Sequence, residues 1–415
     1  MPLALLLLGC VGRNTADTAD LVHYSAPADC GPGVAPGSVE GLVRWPYPQW
    51  VTTSAATVAW GGLAGTTRAK LWWGRSGDNL KPEVASASLI YVDDEGTGAN
   101  LWTARIEGLR PGTEYCYGVE VDGVMLASGL RLRTAPESPW APVRFMVIGD
   151  FGAGTEDQMA LRDVMLSHAE GVDLLLTTGD NAYSSGTWGE FQRNVFEPYQ
   201  EMTTRVVVYP TPGNHDYSTD EAAPYLANYV LPTNAWREAD AERYYSMDWG
   251  PMHFIGLDTE TPALQIRESD TDDQLDWLRA DLAEADRPWT VAAWHKPAVS
   301  GHATRSPDIF ALGYFKPALE EAGAQLVLQG HNHFYERFYP IQGEALADDG
   351  VTYITTGGGG RSLYPQKDDE RRAVGVIDHH FLLGEVTGCR LSIEAINKQG
   401  EVIDRFELTR CDGDG

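Results

Sequence analysis

The pattern of apolar and polar positions changes near residue 140. Between residues 39 and 134, short β-rich runs, such as those at 55–60, 69–73 and 114–119, alternate with turns that contain Gly, Asp or Pro. Short strands separated by turn residues are typical of an all-β domain, so this part of the chain predicts a small β-sandwich. The segment 135–139 (Ala-Pro-Glu-Ser-Pro) is rich in residues that interrupt strands, which predicts a linker.

From Val143 onward, apolar runs are followed by polar loops and then by segments with helical periodicity. This alternation predicts an α/β domain in which at least some of the strands are parallel. Helices are expected over 158–168 and in the segment that includes the acidic residues 270–273. Strands are expected at 144–148, 173–177, 206–209, 252–257, 290–294, 325–328 and 352–355, and the alternating tail 381–408 would complete a second sheet.

The charge of the chain narrows the possible functions. Its 415 residues include 31 Lys and Arg against 59 Asp and Glu, which gives a formal net charge of −28. This balance argues against a surface that binds nucleic acid. It would also repel an anionic substrate, so a phosphate site in this chain needs local positive charge of the kind that metal ions supply. No apolar run reaches the length of about 18 residues that a membrane-spanning helix needs.

The N-terminus predicts export. The apolar run at 3–8 leads into Leu-Leu-Gly-Cys, which looks like the end of a bacterial lipoprotein signal at 1–10, with Cys10 as the lipidated residue. The run is short and lacks preceding basic residues, so an ordinary signal with a chance cysteine is the alternative. Residues 11–37 have the composition of a flexible tether. The protein would then face the periplasm or the exterior, and it would contact the membrane only through its lipid anchor.

Four cysteines remain after Cys10. An even number of cysteines in an exported chain allows one or two disulfides. The sequence leaves their pairing open among Cys30, Cys116, Cys389 and Cys411.

Five polar motifs follow five of the predicted strands, at the positions where α/β folds gather their active groups. Each motif is weak alone, because a Gly-Asp pair after a strand is more often a turn, and a lone His is more often an ordinary hydrogen-bonded residue. Together they supply carboxylates, imidazoles, an amide and a phenol, which is the ligand mixture of a dinuclear metal site. The motifs are Gly-Asp-Phe-Gly at 149–152, Gly-Asp-Asn-Ala-Tyr at 179–183, Gly-Asn-His-Asp at 213–216, His295, and Gly-His-Asn-His at 330–333.

The order and spacing of these motifs resemble the purple acid phosphatase branch of the calcineurin-like metallophosphoesterases over about 143–360. The resemblance implies a four-layer αββα sandwich as the catalytic domain at 143–410. It also implies a preceding all-β domain at 38–136 of the purple acid phosphatase type. Within that domain, the segment 108–115 resembles a turn of fibronectin-type-III-like domains.

The resemblance also implies two metal ions and their ligands. The first ion would be held by Asp150, Asp180, Tyr183 and His333, and the second by Asp180, Asn214, His295 and His331. Asp180 would bridge the ions and reduce the repulsion between them. Tyr183, three residues after Asp180, marks the purple acid phosphatase branch and favours Fe(III) at the first position; Zn, Mn or Fe(II) would occupy the second. The alternative for Tyr183 is a buried aromatic residue with a hydrogen-bonded hydroxyl.

The activity implied by the resemblance is hydrolysis of a small phosphate monoester, in which a metal-bound hydroxide attacks phosphorus. His215, next to Asn214, would hydrogen-bond the phosphate or the attacking group, and His302 would donate a proton to the leaving alkoxide. The loop at 296–301 departs in length from that of the family, so the alternative for His302 is a solvent-exposed loop histidine. The glycines at 357–360 are expected to form a tight loop near the rim of the site.

Two other functions stay open on the sequence. The same metal core would serve a phosphodiesterase or a nucleotide pyrophosphatase, because only the walls of the pocket select the ester. A non-catalytic protein that binds a surface through its β-sandwich would require a missing metal ligand, and all seven expected ligand residues are present.

Overall fold

The computed structural model describes residues 24–260 and 268–410. The predicted signal at 1–10 and the first part of the predicted tether therefore lie outside the described residues. None of the helices in the described part of the chain combines the length and the apolar character that a membrane crossing needs.

The N-terminal part of the chain forms two four-stranded antiparallel sheets, as the short β-rich runs predicted. Their strand orders are β1-β2-β6-β5 and β4-β3-β7-β8. Apolar side chains such as Trp60, Leu71 and Tyr117 are fully buried in the core of these sheets. The strands are β1 Leu42–Gln49, β2 Ala55–Leu63, β3 Ala69–Gly74, β4 Lys81–Val84, β5 Ser86–Tyr91, β6 Gly98–Glu107, β7 Glu114–Val121 and β8 Val124–Arg133.

Residues 24–37 are not a free tether, which corrects the prediction for this part of 11–37. A disulfide joins Cys30 to Cys116 on β7. The backbone N–H of Val34 donates to Ser128 Oγ at 2.8 Å, and the N–H of Ser128 donates back to the Val34 carbonyl at 2.8 Å. The polar composition was misleading here, because backbone hydrogen bonds and a disulfide can hold a segment that has few apolar residues.

The rest of the chain forms two larger sheets that pack face to face. The first has six strands in the order β11-β10-β9-β21-β22-β23, and the second has seven in the order β12-β13-β14-β15-β19-β16-β20. The strands of the first sheet are β9 Val143–Ile148, β10 Leu174–Thr177, β11 Val207–Tyr209, β21 His380–Thr387, β22 Arg390–Asn397 and β23 Val402–Thr409. Those of the second are β12 Tyr245–Trp249, β13 Met252–Gly256, β14 Trp289–Trp294, β15 Leu326–Gln329, β16 Tyr335–Phe338, β19 Thr352–Thr356 and β20 Arg372–Val376; a small hairpin adds β17 Ile341–Gln342 and β18 Ala345–Leu346.

Helices and turns connect these strands. The α-helices are α1 Glu156–His168, α2 Trp188–Phe191, α3 Glu197–Thr203, α4 Ala223–Asn228, α5 Glu268–Glu284 and α6 Lys316–Glu321. Wider π-helical turns precede α3 and α6, at Gln192–Phe196 and Ala311–Phe315, and 3₁₀ turns lie at Asp216–Ser218, Asp220–Ala222 and Glu238–Asp240. Helix α1 is N-capped by Thr155, whose side chain accepts the N–H of Gln158.

The second sheet lies between the first sheet and a layer of helices. Successive side chains of a strand point to opposite faces. On one face, Ala292 and Trp294 of β14 pack in a cluster with Leu278 of α5. On the other face, Val291 and Ala293 belong to the core that includes the first sheet. This arrangement confirms the predicted fold class, a mixed α/β domain that follows an all-β domain.

The parallel strands share one carboxyl edge in each sheet. In the first sheet β10 pairs in parallel with both β9 and β11, and in the second β13, β14, β15 and β19 pair in parallel. The predicted strands of this domain are all present, and their ends differ by no more than one residue from the expected ones. The polar motifs therefore follow the ends of neighbouring strands at the carboxyl edge of each sheet.

The two parts of the chain are joined by buried polar contacts. Arg44 of β1 is 2% exposed, and its guanidinium donates to Gln192 Oε1 at 2.8 Å and to Asn228 Oδ1 at 2.7 Å. Tyr47 donates to the carbonyl of Asn228, and Tyr209 donates to the carbonyl of Val51.

Candidate metal centre

Each proposed metal ligand lies just after the carboxyl end of a parallel strand or on the loop that follows it. Asp150 follows β9, Asp180 follows β10, and His331 follows β15. These three residues have positive φ angles of 57°, 49° and 66°. Left-handed backbone is costly for residues with a Cβ, and such positions concentrate at functional sites. The turns direct these strand ends toward a common point between the two sheets.

The first predicted ligand set is assembled around the hydroxyl of Tyr183. This hydroxyl donates to Asp150 Oδ1 at 2.9 Å and lies 2.8 Å from Asp180 Oδ2 and 3.3 Å from His333 Nε2. His333 Nε2 is also 3.1 Å from Asp150 Oδ1. The structure therefore brings the other three residues of this set into contact with the Tyr183 hydroxyl.

The second predicted set is assembled around the imidazole of His295. Its Nε2 lies 3.2 Å from Asp180 Oδ1, 3.2 Å from Asn214 Oδ1 and 3.2 Å from His331 Nδ1. One ligand atom each from Asp180, His295 and His331 fall within 4.8 Å of one another, as a metal-binding group requires. Asp180 belongs to both sets and directs a different carboxylate oxygen to each.

Hydrogen bonds to the backbone orient these ligands. His295 Nδ1 lies 2.8 Å from the carbonyl oxygen of Thr178, and His333 Nδ1 lies 2.7 Å from that of Ser362. Donation from Nδ1 leaves Nε2 of each ring as the atom that faces the cluster. The orientation of both imidazoles is thus set by the protein before any metal ion binds.

The electrostatics of the cluster fit a bound cation. Asp150 and Asp180 are 0% and 1% exposed, so two carboxylates lie side by side away from water. Burial lowers the pKa of His295, but the charge and hydrogen bond of Asp180, together with the charges of Asp150 and Glu260, outweigh it and raise this pKa to about 10. For the Tyr183 phenol, burial has the opposite effect and raises the pKa well above its usual value. The charges of Asp150 and Asp180 raise it further. A site that holds protons this firmly between buried carboxylates is one in which a metal cation would be stabilised.

Asp216 supports the cluster from behind and was not singled out by the sequence. Its buried carboxylate accepts the backbone N–H of Gly213 at 2.8 Å and that of Asn181 at 3.1 Å. It thereby joins the loops that carry Asn214 and Asp180. Burial, and then the charge of Asp180, raise the pKa of Asp216 to about 7. The sequence did contain a signal for this residue, because Asp216 is the last residue of the Gly-Asn-His-Asp motif.

His215 lies at the rim of the cluster. Its ring centroid is 4.5 Å from that of Tyr183, and its Nε2 is 3.8 Å from Asp180 Oδ2. Its Nδ1 is hydrogen-bonded to the carbonyl oxygen of Ser184. A third of the His215 side chain is exposed, so its imidazole can meet a ligand that enters from solvent.

His302 is buried, which corrects the alternative of a solvent-exposed loop histidine. It is 4% exposed, and its Nδ1 accepts the N–H groups of Thr304 and Arg305 at 3.1 and 3.0 Å. Its Nε2 has no hydrogen-bond partner among the described residues. In the described part of the chain, neither a hydrogen bond nor a ring contact joins His302 to a residue of the ligand cluster. The ring of Tyr364 contacts both histidines: its centroid is 5.3 Å from that of His302, and it stacks on His333 at 4.1 Å.

The glycine run at 357–360 packs against the loop that carries the proposed metal ligand Asp150. The N–H of Gly359 donates to the carbonyl of Gly149 at 2.9 Å. A Cβ at Gly357 would lie 2.8 Å from Asp150 Oδ2, so any side chain there would collide with a proposed ligand. The loop is therefore close to the site, as the sequence predicted, and its glycines permit close backbone approach.

Fold and site together define a two-domain protein of the metallophosphoesterase class. Residues 143–335 match the family described as calcineurin-like phosphoesterase, and residues 46–144 match the purple acid phosphatase N-terminal domain. The chain belongs to the calcineurin-like phosphoesterases, in their purple acid phosphatase branch.

Relatives and solved structures agree with this membership. The chain is 30% identical over 336 residues to purple acid phosphatase 15 of Arabidopsis thaliana, covering 68% of this chain and 59% of the relative. It is 26% identical over 304 residues to acid phosphatase type 7 of Danio rerio, covering 65% of each. The chain thus spans less than two thirds of the length of both relatives. The purple acid phosphatase PPD1 of yellow lupin has the same fold, with a TM-score of 0.76, 18% identity, and coverage of 88% of this chain and 75% of that one.

Proposed function

We propose that this chain hydrolyses small phosphate monoesters and that two metal ions bind between its sheets. The observation that carries this proposal is the position of Asp180, whose two carboxylate oxygens contact two different groups of potential ligands. Bound metal ions would supply the positive charge that attracts a phosphate ester and stabilises the charge that develops on it. The residues proposed to hold them are Asp150, Asp180, Tyr183, Asn214, His295, His331 and His333.

The identities of the metals are part of the proposal. A phenolate oxygen is a hard anionic ligand, so we assign Fe(III) to the position beside Tyr183. The other position has an amide oxygen and two imidazoles besides Asp180, a ligand set that accepts Zn, Mn or Fe(II). Elemental analysis of the purified protein would test both assignments.

Two histidines are proposed to contact the substrate. The partly exposed imidazole of His215 would donate a hydrogen bond to a phosphate oxygen. The Nε2–H group of His302 would donate a hydrogen bond to the leaving oxygen. Its Nδ1 accepts two backbone N–H groups, so the neutral ring carries its proton on Nε2. Burial, and then the charge of Arg305, lower the pKa of His302, which favours this neutral form.

Hydrolysis of p-nitrophenyl phosphate and of its bis-ester, measured side by side, tests the proposed activity. We expect the metal-loaded wild type to prefer the monoester and Asp180→Asn to lose at least about 100-fold of the rate together with bound metal. Asp163→Asn is the matched control, because the side chain of Asp163 is 65% exposed and, within the described residues, its ion pair is with Arg162 on the surface of α1. Preference for the bis-ester would replace the monoesterase proposal with a diesterase. Equal activity of Asp180→Asn and wild type would refute the proposed centre.

We also propose that the chain is exported and that its first domain, at 38–136, is fibronectin-type-III-like, followed by the catalytic domain at 143–410. The Cys30–Cys116 disulfide supports export, because such bonds persist in oxidising compartments. A lipid anchor at Cys10 is proposed from the Leu-Leu-Gly-Cys sequence alone. Fatty-acid labelling of cells that express wild type or Cys10→Ala would test it, and equal labelling of both would exclude the anchor.

A further inference from the structure

Arg361 is a partly buried cation beside the candidate metal centre. Its guanidinium carbon lies over the ring of Tyr183, 5.2 Å from the ring centroid. Its backbone N–H donates to the carbonyl oxygen of Asp150 at 3.2 Å, which fixes its position at the end of the glycine loop. Across the described residues, its guanidinium has neither a hydrogen bond nor an ion pair. All five of its N–H donors are therefore available to a ligand.

Arg305, a second arginine near this centre, provides a contrast. Arg305 lies near the same centre, but it donates to the carbonyl of His331 at 3.0 Å and to Tyr364 Oη at 3.2 Å. In a chain with a net charge of −28, carboxylate partners are abundant. A partly buried guanidinium that lacks one in such a chain is suited to bind an anion from solution.

Building on the proposed function, we propose that Arg361 binds a second phosphate group of the substrate and that the enzyme prefers esters that carry more than one phosphate. The carboxylates and imidazoles converge on the hydroxyl of Tyr183, whereas Arg361 lies over its ring. Arg361 is therefore beside the place where the reacting phosphate would bind. The planar guanidinium matches the oxygens of a phosphate and can donate two parallel hydrogen bonds to it.

The backbone holds Arg361 in this position. Gly360 has a φ of +157°, and a Cβ there would lie 2.7 Å from Cβ of Gln158 on α1. Gly359 is bonded to Gly149, directly before Asp150. The loop that ends at Arg361 is thus packed between α1 and the ligand-bearing loop, which reduces the backbone entropy that would be lost on binding.

Fructose 6-phosphate and fructose 1,6-bisphosphate form a matched pair of probes, because they differ by one phosphate group. We expect the ratio of kcat/KM for the bisphosphate to that for the monophosphate to fall about tenfold in Arg361→Ala and Arg361→Gln. Arg361→Lys should retain part of the preference, because it keeps the charge and loses the planar donor geometry. Arg361→Ala and Arg361→Gln leave side chains of different size. A similar fall in both variants would therefore reflect loss of the guanidinium and not a local packing defect.

Arg75→Ala is the control, since Arg75 also lies over a tyrosine ring, at 5.6 Å from Tyr115, but on the N-terminal β-sandwich. The ratio of kcat/KM for the bisphosphate to that for the monophosphate should be the same in Arg75→Ala as in the wild type. An unchanged ratio in both Arg361→Ala and Arg361→Gln would overturn the proposal, as would an equal loss of activity on both esters.

The failure of the proposed function would be recognised separately. If the wild type released phosphate from neither ester, the phosphatase proposal would fail and both esters would become stable ligands. Their Kd values, measured calorimetrically on the same metal-loaded full-length variants, would then test Arg361. A bisphosphate affinity that is the same in wild type and Arg361→Ala would overturn its role in binding.

Discussion

His253 on β13 predicts a pH-dependent stability that is independent of the metal centre. Its Nδ1 lies 2.7 Å from Asp248 Oδ1 and its Nε2 lies 2.9 Å from Asp281 Oδ2. Arg287 also pairs with Asp248, at 3.1 Å. The imidazole is 8% exposed, so it is held between two carboxylates with little access to water. We expect His253→Gln to remove most of this pH dependence.

The size of the effect follows from the shift in protonation. Burial lowers the pKa of His253, but hydrogen bonds to Asp248 and Asp281 outweigh it and raise the pKa from 6.5 to about 9. Each unit corresponds to about 1.4 kcal/mol, so the full shift represents about 3 kcal/mol. The carboxylate of Asp248 is 41% exposed, and solvent screening reduces the expected contribution to about 2 kcal/mol.

The sign of the effect is set by the raised pKa of the folded state. The unfolded chain releases the proton near pH 6.5, so the stabilisation is fully present below that value and is lost as the pH rises through about 9. The assay is the urea-unfolding free energy of wild type and His253→Gln between pH 5.5 and 10. His168→Gln serves as the control, because in the described part of the chain this partly buried imidazole is hydrogen-bonded to Ser167 Oγ and the Val164 carbonyl oxygen and to no carboxylate. If the difference in unfolding free energy between wild type and His253→Gln stayed constant over this pH range, the reasoning would be refuted.

Three further predictions concern other parts of the fold. The double variant Cys30→Ser, Cys116→Ser should lose about 2–5 kcal/mol of unfolding free energy, because the disulfide closes a separation of 86 residues; an unchanged denaturation midpoint would contradict this. Arg44→Met should lose about 2–4 kcal/mol, because Gln192 and Asn228 would keep buried oxygens without their donor. Arg405→Met, an exposed control, should change the unfolding free energy by less than about 1 kcal/mol. Asp216→Asn should lower phosphatase activity about tenfold, since an amide has one oxygen where two now accept backbone N–H groups; wild-type activity would show that Asp216 does not position the ligands.

The elements of this protein were accessible from the sequence because their signals are local. Short β-rich runs between turns indicated the β-sandwich, the alternation of apolar runs with helical periodicity indicated the α/β domain, and buried runs such as Leu174–Thr177 located the parallel strands. The polar motifs were recognisable because each follows such a strand. Their order carried the family resemblance, and with it the residues expected in the metal centre.

Tertiary structure decided which of these residues meet and what surrounds them. Asp180 and His295 are 115 positions apart in sequence, and only the face-to-face packing of two sheets brings their side chains to 3.2 Å. The same long-range packing paired Cys30 with Cys116, placed residues 24–37 against the β-sandwich and buried His302 beside Tyr364. It also placed Arg361 over the ring of Tyr183. Sequence periodicity reports which face of an element is apolar, whereas such contacts depend on how distant elements pack against one another.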